Sequence, residues 1–191
     1  LDRELDEEVA LKLLRVELAK TPEALLRFRR EVKLARRVTH PNVARTYDLG
    51  VHAGLRFLTM ELIAGKSLAA RARNRLPLPE ILRIVAAVSA GLAASHAVGL
   101  VHRDLKPENI LLAGDRVVIT DFGIARPLAA TDALATSGNI VGTPSYMAPE
   151  QLGRGAVDGR ADVYALGGVL FELLTGTLPF HGDSAFAVAA A

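Results

Sequence analysis

The segment His102-Arg103-Asp104-Leu105-Lys106-Pro107-Glu108-Asn109 brings a carboxylate, two cations and an amide together within a few residues. A helix would scatter these groups around its circumference, and a proline removes a backbone donor and disfavours helix at the residue before it. We therefore predict a tight polar loop, followed by a short apolar strand. In such a loop Asp104 can accept a proton and Asn109 can hold a hard cation, so both can act on one phosphate-sized target.

The composition is that of an ordinary globular chain. Of its 191 residues, 50% are hydrophobic and 23% are charged, which is enough for one large domain or two small lobes. The formal net charge of +2 is too small, and the basic residues are too scattered, to indicate nucleic-acid binding. The sequence has no Cys, which excludes a disulfide framework and a thiolate metal site and fits a reducing compartment.

One apolar stretch leaves two interpretations open. Ile84–Val101 has no formally charged residue and approaches the length of a transmembrane helix. We favour instead a core helix that follows Leu76–Glu80 and ends near Val98 at Gly99, and we expect no membrane span within this chain. Leu1–Glu8 is mostly charged, unlike a secretion signal. The core interpretation rests on apolar residues that recur at helical spacing, namely Ile81, Ile84, Val85, Val88 and Leu92.

An earlier helix is predicted from its start signals. Thr21 can cap the first turn, Pro22 suits the first helical position, and Glu23 places an acid where the helix dipole favours one. Glu31 lies at the edge of an apolar stripe on this helix, and taken alone it is a solvated helix acid. The stripe consists of Leu25, Phe28, Val32 and Ala35.

A later helix should begin at Asp158–Asp162 and end at Gly176. Its apolar residues cover most of the circumference, so we expect the helix to be buried. These residues are Ala161, Val163, Ala165, Leu166, Val169, Leu170, Leu173 and Leu174.

Short apolar runs predict the strands. Val9–Leu14 holds Lys12 within such a run, and by itself this is an edge-strand lysine whose ammonium lies in solvent. Two further pairs of strands flank turns that contain glycine. They are Ala44–Leu49 with Leu55–Met60, and Ile110–Leu112 with Val117–Thr120.

Several of these segments together resemble the protein kinase family. His102–Asn109 matches the catalytic-loop signature H-R-D-L-x-x-x-N, and Asp121-Phe122-Gly123 matches D-F-G directly after a short strand. Ala148-Pro149-Glu150 matches A-P-E, and Val9–Lys12 is similar to the V-A-I-K strand. The likeness extends to about Phe180, and the chain resembles the bacterial, eukaryotic-like (Hanks-type) serine/threonine kinases in particular.

The resemblance implies an α+β, protein-kinase-like two-lobed fold, with a smaller lobe at residues 1–62 and a larger lobe at residues 63–191. It also implies that the fold is incomplete. No G-x-G-x-x-G precedes Val9, so the first two strands and the Gly-rich loop are expected to be missing, and little sequence remains for the last helices. We expect such a chain in isolation to transfer phosphate poorly.

For the site, the resemblance implies ATP and Mg²⁺ as cofactors. Asp104 would accept or orient the proton of the acceptor hydroxyl, together with Lys106, Asn109 and Thr143. Mg²⁺ would be held by Asn109 and Asp121. The nucleotide would be bound by Lys12 with its partner Glu31, and by Ala10, Met60, Glu61, Ile63, Ser67 and Leu111. Asp162 would brace the backbone of the catalytic loop.

The resemblance also implies that the acceptor is Ser or Thr rather than Tyr, because serine/threonine kinases carry a Lys two residues after the loop Asp and a Thr before A-P-E, as Lys106 and Thr143 stand here. Arg103 is a cation that would bind a phosphorylated activation loop. The candidate phosphosites are Thr131, Thr136 and Ser137, and the alternative is that they belong to an ordinary polar loop.

Two functions remain open at this stage. The first is a serine/threonine protein kinase, with ATP and protein substrates as partners, autophosphorylation through dimer contacts, and no nucleic acid. The second is a non-catalytic, kinase-like binding or scaffold module. The intact set of site residues favours the kinase as the nature of the full-length protein, whereas the missing ends favour the non-catalytic module, or an inactive remnant, for this chain. We expect it in the cytoplasm, within a full-length protein that can be anchored to a membrane.

Overall fold

The structure is a computed structural model that describes residues 6–14, 21–73, 75–123, 144–151 and 156–180. Its strands are β1 (Val9–Leu13), β2 (Thr46–His52), β3 (Leu55–Glu61), β4 (Lys66–Ser67), β5 (Ile110–Ala113) and β6 (Arg116–Ile119). Its α-helices are α1 (Pro22–Ala35), α2 (Leu68–Arg71), α3 (Leu78–Ala97) and α4 (Arg160–Thr175). Short 3₁₀ turns lie at Pro107–Asn109, Pro144–Tyr146 and Pro149–Gln151.

The first sheet has the spatial order β1-β3-β2, and α1 contacts β2. Both strand pairs are antiparallel, with Lys12 on β1 opposite Leu58 on β3. Helix α1 begins as predicted, because the Thr21 hydroxyl accepts the backbone N–H of Ala24 at 3.2 Å and Pro22 occupies the first position. The predicted stripe faces inward, and its most buried members are Phe28, Val32 and Ala35.

The second sheet has the order β4-β5-β6. Its β5–β6 hairpin confirms the predicted strand pair, and Ile110 lies opposite Ile119. Gly114 in the connecting turn has a φ of 58°, a left-handed conformation that glycine adopts without steric cost.

The segment before β2 joins the two sheets. The backbone N–H of Ala44 donates to the Ile119 carbonyl, and the N–H of Ile119 donates to the Asn42 carbonyl, both at 2.9 Å. Strand β2 therefore begins at Thr46 rather than at the predicted Ala44, because residues 42–44 pair with β6 of the other sheet. The two parts of the fold meet at this crossing, whereas the boundary predicted after residue 62 stays a prediction.

Helix α3 is the central helix of the larger part, where it contacts β6 and α4. It is also the one helix in the described ranges that is long and apolar enough to cross a membrane. Length and composition are weak evidence, since the core helix of a globular domain passes the same test. The core interpretation is supported by the burial of Ile81, Ile84, Val88 and Leu92.

Helix α4 corrects one expectation. It begins and ends as predicted, with Gly176 in the left-handed conformation at φ 79°. The prediction that the whole of α4 is buried was wrong, because the exposed fractions of Val163 and Leu174 are 63% and 50%. The packed side of α4 faces α3, the 3₁₀ turn at Pro144–Tyr146 and, through Asp162, the catalytic loop.

The packing of α3 leads to a prediction about two helical glycines. A Cβ at Gly91 would lie 2.9 Å from both the Asn42 carbonyl oxygen and the Ile119 side chain, whereas a Cβ at Gly167 on α4 would meet nothing within 4 Å. We expect Gly91→Ala to lower the free energy of unfolding by about 1–3 kcal/mol through overpacking. Gly167→Ala should raise it by up to about 1 kcal/mol through helix propensity. Urea unfolding of both variants measures the difference, and equal effects would contradict the close contact at Gly91.

Candidate active site

A cleft lies between the first sheet and the segment that follows β6. The cleft is open to solvent, with about 400 Å³ of space between its walls and the surrounding solvent. One wall consists of every second residue along β1 and β3 and along the segment that leads into β2. Thr120, Asp121 and Phe122 form the other wall. The wall residues are Lys12, Leu14, Leu58, Met60, Ala44 and Thr46.

The predicted polar loop is formed, and it brings three candidate catalytic residues together. The Asn109 side-chain amide donates to the Asp104 carbonyl oxygen at 2.8 Å and lies 3.4 Å from its carboxylate Oδ2. Lys106 Nζ lies 3.7 Å from the same Oδ2. Pro107–Asn109 forms a 3₁₀ turn, closed by the Asn109 N–H on the Lys106 carbonyl. The loop therefore presents a carboxylate, a cation and an amide at one point, as predicted from the sequence.

His102 links this loop to the D-F-G segment. Its side chain is fully buried, its Nε2 lies 2.9 Å from the Thr120 carbonyl oxygen, and its Nδ1 accepts the Asp104 N–H at 3.2 Å. Its ring also contacts that of Phe122, with centroids 4.6 Å apart. Burial lowers the pKa of His102, although the carboxylates of Asp162, Asp104 and Asp121 oppose the shift. The ring is thus neutral, with Nε2 as donor and Nδ1 as acceptor.

Asp162 supports the loop from below, as predicted. Its carboxylate is buried and accepts the backbone N–H groups of His102 and Arg103, both at 2.8 Å. His96 Nε2 on α3 lies 2.7 Å from the same carboxylate. A Cβ at Gly159 would lie 2.7 Å from the His96 ring, so the glycine before α4 leaves room for that ring.

The charges across the cleft pair differently from the expected arrangement. Lys12 Nζ contacts the Asp121 carboxylate at 2.5 Å, and Arg103 Nη1 contacts Glu31 Oε1 at 2.5 Å. The predicted Lys12–Glu31 pair is therefore not formed in this structure. The physical reason is that each group has a nearer partner of opposite charge, and the Glu31–Arg103 pair is the more buried, with exposed fractions of 13% and 22%.

Of the residues predicted to hold the nucleotide, Lys12 and Met60 line the cleft, and the others lie on neighbouring segments whose contact with a nucleotide stays a prediction. Met60 lines the cleft, and Ala10 lies opposite it on β1. The carboxylate of Glu61 accepts the Arg45 N–H and contacts Arg116, and the Glu61 backbone N–H donates to the Arg45 carbonyl at 2.8 Å. Beyond β3, the Ile63 carbonyl accepts the Gly65 N–H, and Leu111 lies opposite Ser67 on the next sheet.

Ser67 has a structural role that the sequence analysis did not assign. Its hydroxyl accepts the Ala70 N–H at 3.2 Å and caps α2. The signal was present, because a serine before a short run of good helix formers is typical of an N-cap. Its predicted contact with a nucleotide stays a prediction. Thr143 and the candidate phosphosites Thr131, Thr136 and Ser137 lie outside the described residues.

The sequence analysis missed most of the apolar lining of the cleft. Leu14 and Leu58 were not named, although Lys12 and Met60 stand two residues away from them on the same strands. Since side chains alternate along a strand, residues two apart face the same side. That rule extends the site from Lys12 to Leu14 and from Met60 to Leu58.

The oxygen atoms available in the site suit a metal ion that retains several water molecules as ligands. Within the described part of the chain, no group of three or more His, Asp or Glu residues is arranged to hold a metal. Asn109 and Asp121 offer one amide and one carboxylate oxygen. This agrees with Mg²⁺, which proteins bind through one or two such ligands together with water and substrate phosphates.

Comparisons with known proteins agree with this geometry. The model of the protein kinase domain family matches residues 1–190. The serine/threonine-protein kinase PknL of Mycobacterium bovis is 43% identical over 99% of this chain and 48% of its own length. The serine/threonine-protein kinase pkn3 of Myxococcus xanthus is 43% identical over 95% of this chain and 35% of its own. A crystal structure of the Mycobacterium tuberculosis PknI kinase domain aligns with a TM-score of 0.75 at 32% identity, over 95% of this chain and 69% of that domain.

The chain belongs to the protein kinase domain family. The predicted family, its bacterial serine/threonine branch and the mixed α+β kinase fold are confirmed. Members of this family use ATP and a divalent metal. The chain spans about half or less of the length of the curated relatives, and about two thirds of the aligned kinase domain.

The buried neutral His102 predicts a stability that depends on pH. Because its pKa is lowered in the folded state, the unfolded chain binds a proton below about pH 6.5 that the folded chain does not. The contribution of neutral His102 to the free energy of unfolding is therefore fully present above that pH. It is lost as the pH falls, by up to about 1.4 kcal/mol per pH unit. His102→Gln should flatten the dependence of unfolding free energy on pH between 7 and 5, whereas the exposed His52→Gln should not. Equal slopes in denaturant unfolding would contradict the prediction.

Proposed function

We propose that the chain forms the catalytic part of a serine/threonine protein kinase, which transfers the γ-phosphoryl group of ATP to Ser or Thr hydroxyls of proteins. The observation that carries the proposal is the cluster of Asp104, Lys106 and Asn109 beside a cleft that holds Lys12 and Asp121. Phosphoryl transfer demands little covalent chemistry from a protein, and catalysis consists mostly of positioning and charge stabilisation. These five side chains supply both.

Each residue of the loop has a role that follows from its contacts. The Asp104 carboxylate receives or orients the proton of the acceptor hydroxyl, and Lys106 holds a positive charge beside it. Asn109 uses its side-chain N–H to fix Asp104, which leaves Oδ1 as its ligand atom for Mg²⁺. When bound, ATP supplies the phosphoryl group, and the metal ion supplies positive charge that offsets the negative charge of the phosphates. Thr143 is proposed to hydrogen-bond toward Asp104 and Lys106 and to favour Ser or Thr acceptors.

The charged residues of the cleft must separate for a nucleotide to bind. The ammonium of Lys12 and the carboxylate of Asp121 are in direct contact, and both side chains are about a third to a half exposed. Such a pair contributes little to stability, roughly 0–1 kcal/mol, so a polyphosphate and a divalent cation can compete for its members. Lys12 would then bind the α- and β-phosphates, and Asp121 would bind Mg²⁺. The apolar wall, with Met60 and Leu58, suits the adenine ring.

A second candidate function is a binding or scaffold module that does not transfer phosphate. One observation favours it: Glu31 is engaged by Arg103 rather than by Lys12. A kinase must reposition these groups before Lys12 gains its acidic partner, whereas a binding module need not. Nucleotide binding without phosphoryl transfer would support this alternative.

The proposed partners follow from the chemistry. They are ATP and protein substrates, with autophosphorylation between two copies as one form of substrate use. ATP is an intracellular metabolite, so we place the kinase domain in the cytoplasm. This placement is compatible with a membrane anchor elsewhere in the protein.

The test of the proposed function is an isosteric change at Asp104. Asp104→Asn keeps the shape but removes the carboxylate, so kcat for phosphate transfer from labelled ATP to a basic protein substrate should fall roughly 10²–10⁴-fold. Binding of Mg-ATP, measured by calorimetry on the same variant, should remain. Asp158→Asn is the matched control, because Asp158 is an exposed carboxylate that pairs with Arg160 away from the cleft. The assay uses the full-length protein, and full activity in Asp104→Asn, or none in the wild type, would refute the proposal.

The phosphosite hypothesis has a separate test. If Arg103 binds a phosphorylated loop, Thr131, Thr136 or Ser137 should carry phosphate after incubation with Mg-ATP. Phosphopeptide mapping identifies the site, and substitution of the modified residue by Ala should lower activity toward other substrates. The hypothesis fails if none of the three residues is modified in a protein that phosphorylates an added substrate.

A further inference from the structure

Gln151 joins two segments that the proposed function treats separately. Its side-chain Nε2 donates to the Arg103 carbonyl oxygen at 2.9 Å, and its Oε1 accepts the Ala148 N–H at 3.0 Å. One amide thus bridges the catalytic loop and the 3₁₀ turn that follows Met147. Ala148 is completely buried, so the Oε1 contact also satisfies a backbone donor that water cannot reach.

The carbonyl that Gln151 binds belongs to the peptide group that joins Arg103 to Asp104. The N–H of that same peptide group donates to His102 Nδ1 at 3.2 Å. The plane of the peptide is therefore held at both ends, at its oxygen by Gln151 and at its nitrogen by His102. Because the plane contains the Cα atom of Asp104, its orientation determines where the Asp104 carboxylate lies.

Arg103 needs this support because its backbone is strained. Its φ of 63° lies in the left-handed region, which costs a residue with a Cβ about 1–2 kcal/mol. Its N–H is fixed by Asp162 and its carbonyl by Gln151. Loss of the contact to Gln151 releases the oxygen end of the peptide after Arg103, which allows the peptide to tilt toward an unstrained conformation and to shift Asp104 with it.

The turn that carries Gln151 is itself anchored to the larger part of the fold. The Tyr146 hydroxyl donates to Glu172 on α4, and the Tyr146 ring is buried. The Gln151 N–H closes the turn on the Ala148 carbonyl at 2.9 Å. A rigid support on this side makes the Gln151 amide suitable for setting the position of a neighbouring peptide.

We infer that Gln151 is a positioning residue for Asp104, which couples the segment around the A-P-E motif to the catalytic loop. The inference rests on the proposed function, since it assigns Gln151 an effect on the rate of phosphoryl transfer. The simpler alternative is that Gln151 only stabilises its own turn. The two differ in whether kcat changes more than stability does.

Two substitutions in the full-length protein separate the contacts. Gln151→Met keeps the length of the side chain and loses both hydrogen bonds, whereas Gln151→Glu keeps an acceptor for the Ala148 N–H and loses the donor to Arg103. We expect both variants to lower kcat roughly tenfold, equivalent to about 1.4 kcal/mol, with KM for ATP within about twofold of wild type. The kcat of Gln151→Glu relative to wild type should recover as the pH falls, because a protonated carboxyl is again a donor.

The control is Thr175→Val, which removes side-chain contacts to the Phe171 and Thr177 carbonyls at the far end of α4. It should lower the melting temperature and leave kcat unchanged. If the Gln151 variants behave in the same way, with kcat within about twofold of wild type, the positioning role is refuted.

A second measurement does not depend on activity. Selective ¹⁵N labelling of glutamine reports on this side chain, and the signal of Gln151, the only glutamine among these 191 residues, is identified by its loss in Gln151→Met. Its Nε2 protons should exchange with solvent at least about tenfold more slowly than those of free glutamine, as a hydrogen-bonded amide does. Exchange at the free rate would overturn the inference. Slow exchange in a protein that transfers no phosphate would instead support the hydrogen bonds of the Gln151 amide but refute the proposed function.

Discussion

The conformation of the catalytic loop depends on one buried carboxylate, that of Asp162. Burying a charge costs several kcal/mol unless hydrogen bonds replace its hydration. Here the replacement comes from two consecutive backbone N–H groups, those of His102 and Arg103, and from the His96 ring. Two adjacent N–H groups can point at one carboxylate only if the backbone turns sharply, and Arg103 adopts a left-handed φ of 63° at this point. The shape of the loop is thus imposed from α4, and the residues that carry the chemistry follow from it.

The ion pairs of the cleft have a different character from this anchor. Asp162 is held by two backbone donors, whereas Lys12, Asp121, Glu31 and Arg103 form side-chain ion pairs whose partners can be exchanged. The members of the Lys12–Asp121 pair are 36% and 45% exposed, so solvent screens their attraction. The Glu31–Arg103 pair is more enclosed and links α1 to the catalytic loop. A protein with rigid backbone anchors and exchangeable side-chain pairs can rearrange its charges without refolding its loop.

Most of the fold was predictable because its elements carry local signals. The cap at Thr21, the glycines that end α3 and α4, and the β5–β6 hairpin each follow from the conformational preferences of a few neighbouring residues. The family motifs likewise located Asp104, Asn109 and Asp121, although their roles remain predictions. The partner of Glu31 was not predictable in this way. Which cation it meets depends on how α1 lies against the catalytic loop, a tertiary relation that no local pattern encodes.

Sequence patterns do not predict which side chains hold the strained parts of the backbone. Asp121 has a left-handed φ of 56°, as Arg103 does, and each strained residue lies at a peptide on which the proposed chemistry depends. His102 serves both places: its ring contacts the Thr120 carbonyl and the Asp104 N–H, and its carbonyl accepts the Gly123 N–H at 2.9 Å. A side chain at Gly123 would lie 2.7 Å from that carbonyl, so the glycine of the D-F-G motif is required by close backbone approach. The catalytic loop and the D-F-G segment are therefore one unit built around a buried imidazole, which holds the backbone at Asp104 and the backbone beside Asp121 together.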